Sequence, residues 1–149
     1  MILCLETATN LCSVALCDNE RLVSLRESHD TKSHASLITV FIDEILKEQG
    51  LKVSNLKAIA VSRGPGSYTG LRIGVSVAKG IAYALSIPLI GIDTTLSMFM
   101  GFKGKGRLES ENTGNLLFCP MLDARRMEVY NALFDAKGNF IYETSRYYR

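Results

Sequence analysis

The chain has 149 residues, 47% hydrophobic and 21% charged, which fits one ordinary globular domain or two very small ones and argues against general disorder. Seventeen Lys and Arg against fifteen Asp and Glu leave a formal charge of +2, too slight for a dedicated nucleic-acid binder. Met1 runs straight into an apolar strand with no basic leader, and no apolar run reaches about 18 residues, so neither a signal peptide nor a membrane span is expected and a cytoplasmic location is.

Ile2–Leu5 reads as a short buried strand and Thr7–Asn10 as a polar turn. Cys12–Cys17 and Arg21–Arg26 continue it as two further strands joined by the Asp18-Asn19-Glu20 turn, a three-stranded antiparallel meander. Ser33–Gln49 has helical spacing, with Leu37, Ile38, Phe41, Ile42, Ile45 and Leu46 on one wide apolar face, Val40 just off it and Gly50 at the stop. Leu56–Ser62 reads as a buried parallel strand, Gly64–Gly70 as a loop, and Leu71–Leu85 as a helix apolar almost all round. On that helix Leu71, Val75, Ala78 and Ala82 share one face, while small Gly74, Ser76, Gly80 and Ala84 are placed on its surface. Leu89–Ile92 is a strand and Thr94–Met100 a short helix. The Gly- and Lys-rich stretch 102–115 reads as a linker, and Leu116–Leu122, Glu128–Phe134 and Asn139–Tyr142 as three more strands. The expected division is a domain at 1–101, a linker at 102–115 and the start of a second domain at 116–149.

A shift of 117 residues lays Leu5-Glu6 on Leu122-Asp123, Ala15-Leu16 on Ala132-Leu133 and Asp18 on Asp135. That pattern suits a duplicated unit, although any two meanders share some likeness. The first copy continues through helices and strands for some 75 residues and the second stops after its third strand, so a C-terminal truncation, or a partner covering the open sheet, is expected.

Four groups of residues invite chemistry. Glu6, Thr7 and Thr9 at the first strand end suit either a metal-bound phosphate or a plain strand-ending turn; Ala8 stands where a phosphate turn would favour Gly. Gly66 and Ser67 open a Gly-rich segment before a helix, which reads equally as an anion cradle or as a helix cap, and no Gly-Lys-Ser/Thr follows to make a Walker loop. Arg125 and Arg126 sit in the second meander's hairpin as solvated turn residues or as contacts to RNA phosphate. Cys4, Cys12, Cys17 and Cys119 form no C-x-x-C pair, and His29 and His34 stand five apart, so no metal site and no disulfide framework is expected. The two apolar helices carry more apolar surface than one sheet needs, which points to a second helix pair or a further part of the fold covering them.

Ile2-Leu-Cys-Leu-Glu-Thr-Ala-Thr9, Cys12–Leu16, Ser33-His34, Arg63-Gly-Pro-Gly-Ser-Tyr-Thr-Gly-Leu-Arg-Ile-Gly74, Leu122–Arg125 and Glu128-Val-Tyr130 resemble the TsaB (YeaZ) family over almost the whole chain. The resemblance implies an α/β fold, the duplicated ribonuclease-H-like fold of the actin, Hsp70 and sugar-kinase superfamily, with the first half complete and the second partial. It implies a non-catalytic scaffold and activator in tRNA N6-threonylcarbamoyladenosine synthesis. The catalytic partner would be a TsaD-type subunit, with a TsaE-type ATPase joining and tRNA engaged indirectly. Pairing, or homodimerisation when alone, would use the two helices, here through Leu37, Ile38, Phe41, Ile42, Ile45, Leu71, Val75, Ala78 and Ala82. Phe41→Glu or Ala78→Glu is expected to break association with little loss of fold where those side chains point to the partner. Thr94 and Met98 stand where the catalytic relative has a metal-binding His pair, so no metal and no cofactor is expected, with ATP entering only in the complex. A superfamily ATPase or kinase, or a glycoprotease-like (M22) metallopeptidase, are the other readings. Arg126-Met127 replaces a commoner Met-Gly, and Glu6 a commoner Asp.

Overall fold

The computed structural model describes residues 1–29, 34–104, 116–143 and 147–148, so Ser33, Arg149 and the expected linker from 105 to 115 lie outside it. The chain divides into two units: 1–63 with 67–92, and 64–66 with 93–149.

The first unit is an α/β layer. Alternation of apolar and small or polar residues makes β1 (Ile2–Glu6), β2 (Cys12–Asp18) and β3 (Arg21–Ser28) an antiparallel meander, with Leu5 opposite Val14 and Leu3 opposite Leu16. The near-continuous apolar run of β4 (Ala58–Gly64) pairs parallel to β1, Ile2 against Ala58, and β5 (Leu89–Asp93) completes the order β3-β2-β1-β4-β5. The helices α1 (His34–Glu48) and α2 (Tyr68–Leu85) cover this sheet through one core containing Leu3, Leu5, Val14, Leu16, Ile38, Ile45, Ile59 and Ala78. Strand β4 begins two residues later than the apolar run suggests, because Val53–Asn55 forms a 3-10 turn that closes with the Leu56 N–H donating to the Val53 carbonyl, 3.1 Å. Leu56 still enters the core.

In the second unit α3 (Thr94–Lys103) carries Phe99 into a small aromatic core with Phe134, Phe118 and Ala132; the Phe99 and Phe134 rings stack at 5.0 Å. The unit boundary therefore falls before α3 rather than at residue 101, since its buried side chain belongs to the later strands. These are β6 (Leu117–Phe118), β7 (Met121–Arg125), β8 (Glu128–Asp135), β9 (Phe140–Glu143) and β10 (Tyr147–Tyr148), and every one of the others pairs antiparallel with β8. The single expected strand Leu116–Leu122 is split in two at Cys119-Pro120, where proline has no N–H to give a ladder.

The repeat has a hydrogen-bond signature. A Glu6 Oε1 accepts from the Ala8 N–H at 2.6 Å, and Asp123 Oδ1 accepts from the Arg125 N–H at 3.0 Å. Glu6 ends β1 and Asp123 stands at the register shift within β7, and each pins the backbone two residues on, at positions 117 apart. This is a ribonuclease-H-like unit followed by the opening meander of a second.

Candidate functional site

Helix α1 carries a two-sided division that its sequence only outlines. Ile38, Ile42, Ile45 and Leu46 are buried against the sheet, Leu37 and Phe41 are half-buried at the margin, and Val40 is 47% exposed. Outward stand Ser36, Thr39, Asp43, Glu44, Lys47 and Glu48. The acids are paired within the chain: Asp43 with Lys47 at 2.6 Å, and Glu44 and Glu48 with Arg26 of β3 at 3.4 and 2.8 Å. The Ser24 hydroxyl also donates to Glu48 at 2.9 Å. This hydroxyl, then the Arg26 guanidinium, holds the Glu48 carboxyl below its usual range.

Helix α2 inverts one expectation. Its buried seam is Gly70, Gly74, Ala78 and Ala82, four small residues at i, i+4 spacing. A Cβ on Gly74 would fall inside contact distance of Thr7 Oγ1, and one on Gly70 inside that of the Thr7 carbonyl oxygen. Thus Gly74 is not on the outer surface; it lets the helix lie directly on the end of β1. Leu71 and Val75 are half-buried flanks of the seam. Five of the nine residues expected to meet a partner, Ile38, Ile42, Ile45, Ala78 and Ala82, therefore have side chains enclosed by the chain's own core. Introducing Glu at Ala78 would bury a charge in that core and unfold it, since the Ala78 side chain points to the core and not outward, as little loss of fold would require.

What α2 exposes is a face that size-weighted sequence reading passed over: Tyr68, Arg72, Ser76, Lys79, Gly80 and Tyr83, with Tyr83 90% exposed. The signal was present, since Arg72 and Lys79 are the only charges on an otherwise apolar helix. The Arg72 guanidinium lies over the Tyr68 ring, 5.4 Å from its centre.

At the first strand end Glu6, Thr9 and Ser67 have internal partners. Glu6 takes the Ala8 N–H on one oxygen and the Ser62 hydroxyl on the other. The Thr9 hydroxyl accepts from the Leu11 N–H at 3.1 Å, the Ser67 N–H donates to the Ala8 carbonyl at 2.6 Å, and the Ser67 hydroxyl accepts from the Gly70 N–H at 3.3 Å as the cap of α2. Thr7 is buried beneath Gly74, its hydroxyl without a hydrogen-bond partner. Gly66, at φ +153°, is in the bend just before Ser67. These contacts brace the strand-to-helix junction.

Arg125, Arg126 and Met127 are exposed, with three successive positive φ values of 64°, 54° and 66° in the β7–β8 turn. Thr94 is buried and Met98 exposed on α3. Among the described residues no three His, Cys, Asp or Glu side chains converge as a metal site would need, and no helix is long and apolar enough to cross a membrane.

A family model described as TsaD, tRNA N6-adenosine threonylcarbamoyltransferase, matches residues 27–144. Relatives named tRNA threonylcarbamoyladenosine biosynthesis protein TsaB match along the same chain. That of Escherichia coli K12 is 35% identical over 141 residues, 95% of this chain and 58% of its own; that of Haemophilus influenzae is 35% identical over 87% and 51%. This chain belongs to the TsaB family. A tRNA N6-adenosine threonylcarbamoyltransferase of Streptococcus equi is 32% identical over 72% of this chain and 37% of its own. A solved structure described as YeaZ from Pseudomonas aeruginosa superposes with a TM-score of 0.79 at 28% identity, covering 99% of this chain and 66% of its own. The chain thus spans a little over half to about two thirds of the length of these TsaB and YeaZ relatives.

Proposed function

We propose that this chain is a non-catalytic scaffold and activator in the synthesis of N6-threonylcarbamoyladenosine on tRNA, docking a TsaD-type catalytic subunit through α1 and α2. The observation that carries this reading is the outer surface of the helix pair, where Val40, Tyr68, Arg72 and Tyr83 stand exposed on two helices locked to one sheet. Rigid helices held by a common core present a preorganised surface, which lowers the ordering cost of association. The family's printed role in tRNA threonylcarbamoyladenosine biosynthesis supports the assignment to this pathway.

The internal hydrogen bonds of Glu6, Thr9 and Ser67 favour this reading over an ATPase or kinase, because a phosphate site needs those donors and acceptors turned toward a ligand. A TsaE-type ATPase would join the assembly and bring ATP to it. The chain alone would pair with a second copy through the same helices. The tRNA would be engaged by the complex, with Arg125 and Arg126 as this chain's own candidates for a phosphate contact. A cytoplasmic location follows from that substrate.

The test is size-exclusion chromatography with light scattering, on the chain alone and mixed with the TsaD-type subunit of the same organism. A joint peak lost in the Val40→Asp variant is the expected outcome. Two separate peaks in the wild-type mixture would overturn the docking reading, and tight Mg·ATP binding by the isolated chain would restore the ATPase.

A further inference from the structure

Cys4 and Cys17 are thirteen positions apart in sequence, a spacing that matches no metal-ligand motif, yet the β1–β2 ladder brings them together. Ile2 stands opposite Cys17 and Cys4 opposite Ala15, so the two thiols are diagonal neighbours on adjacent strands. Strand alternation fixes their face. Leu3, Leu5, Val14 and Leu16 enter the core that α1 and α2 share, which turns Cys4 and Cys17 to the other side of the sheet, where both are half-buried. There the Cys4 S–H donates to the Cys17 sulfur. The residues that flank Cys4 across the ladder are small, Ala15 on β2 and Ala60 on β4. Two sulfurs are thus held on one face of a sheet, in apolar surroundings, with a paired ladder fixing their separation.

We infer that Cys4 and Cys17 form a two-thiolate site for a soft monovalent cation, copper(I), bound linearly between the two sulfurs. The donor set selects the ion. Thiolates favour Cu(I), whereas zinc takes four ligands, and among the described residues no third His, Cys, Asp or Glu joins this pair. Binding is an exchange without electron transfer: each S–H releases its proton to solvent, two S–Cu bonds form, and two thiolates on one monovalent ion leave the site with a single negative charge. A disulfide suits the same pair less well. Diagonal partners stand about 7–8 Å apart at Cα, beyond the roughly 4.4–6.8 Å that a disulfide spans. Burial, with Cys17 alongside, also holds the Cys4 thiol up at about 12, which denies an oxidant its thiolate, while a coordinating metal removes the proton outright. The site lies across the sheet from α1 and α2, so it stands or falls independently of the docking reading.

The experiment titrates the reduced full chain with Cu(I), without oxygen, in competition with bathocuproine disulfonate. Every protein carries Cys119→Ala, which removes the exposed thiol. That background is compared with the same chain carrying Cys17→Ala or Cys4→Ala in addition, and circular dichroism establishes that each is folded. If Cys4→Ala does not fold, Cys17→Ala, next to the end of β2, makes the comparison alone. The background is expected to hold one ion per chain, to show two sulfur neighbours by X-ray absorption, and to melt at a higher temperature when loaded. Each added variant should hold the ion at least about a hundredfold more weakly, because one arm of the chelate is gone, and its melting should no longer respond. Equal competition by the background and the Cys17→Ala variant overturns the inference. So do nitrogen or oxygen neighbours in the absorption spectrum. One ion per two chains, with a dimer in light scattering, would place the ion between copies and overturns it as well.

Discussion

The seam between α2 and the end of β1 makes two glycines on one helix respond oppositely to the same substitution. An alanine in a helix interior is worth about 1 kcal/mol over glycine, through lost unfolded-state freedom. At Gly80 nothing lies within 4 Å of the added methyl, so that gain is realised and Gly80→Ala should stabilise by about 0.5–1 kcal/mol. At Gly74 the methyl would overlap Thr7 Oγ1 and sit 3.5 Å from Thr7 Cβ and Cγ2, in a place with no exposed side to relax into. Overpacking of that kind costs roughly 1–3 kcal/mol. Set against the propensity gain, Gly74→Ala should come out about 1 kcal/mol less stable than the wild type, and about 2 kcal/mol below Gly80→Ala. For a chain of this size that is a fall of about 2–4 °C in melting temperature for one and a rise of similar or smaller size for the other. Urea unfolding followed by circular dichroism reads both. Adding Thr7→Ala to Gly74→Ala removes the atoms in the way, so the double variant should be less destabilised than the two single losses added together. Equal stability of Gly74→Ala and Gly80→Ala would refute the reasoning, since it would mean that α2 does not rest on Thr7.

Three further outcomes follow from burial and charge. Ile45→Ala, at a fully buried position, should cost about 2–5 kcal/mol in urea unfolding, whereas Val40→Ala on the same helix should leave stability within about 0.5 kcal/mol of the wild type. Glu48 is held below its ordinary value of 4.5 by Ser24 and Arg26, so its contribution is present above that value and is lost as pH falls through the lowered native one. Melting curves from neutral to strongly acid pH should therefore show a shallower acid decline for Glu48→Gln than for the wild type; identical slopes would contradict the pairing. Burial, with Cys17 alongside, pushes the Cys4 thiol up to about 12, and burial also raises Cys12. Iodoacetamide at mildly alkaline pH should label exposed Cys119 well before Cys4 or Cys12, and mass spectrometry of the native protein checks the order.

The meanders, α1 and the order of elements were legible because strand alternation and helical spacing are local properties. So was the duplication, through Glu6 and Asp123, whose matched hydrogen bonds appear only in the fold. The orientation of α2 was not legible. Reading by side-chain size places small Gly74 on the helix surface, yet a helix that lies closest to a strand does so where side chains are smallest, at Gly70 and Gly74. The state of Glu6 was hidden for another reason. Its second oxygen is taken by Ser62, a residue far along the chain, and no spacing rule reports a bond of that kind. Likewise the unit boundary depends on where Phe99 is enclosed, which α3's own sequence does not reveal. The braced junction and the exposed face of α2 that carries Arg72 and Lys79 are both consequences of packing.

The pairing pattern of β8 carries a consequence for how the two units come into being. In the first sheet β1 must find β4 from Ile2 to Ala58, so its central parallel ladder waits for a long stretch of chain. In the second, β6, β7, β9 and β10 all meet β8, and the longest reach is from Glu128 to Tyr148. Pairing between near neighbours closes small loops and proceeds quickly, whereas distant parallel pairing is slow. The later part of the chain is thus built for rapid assembly around one strand, and the earlier part for slow closure around β1, so amide protection in refolding should rise first along β8 although β1 is synthesised long before it.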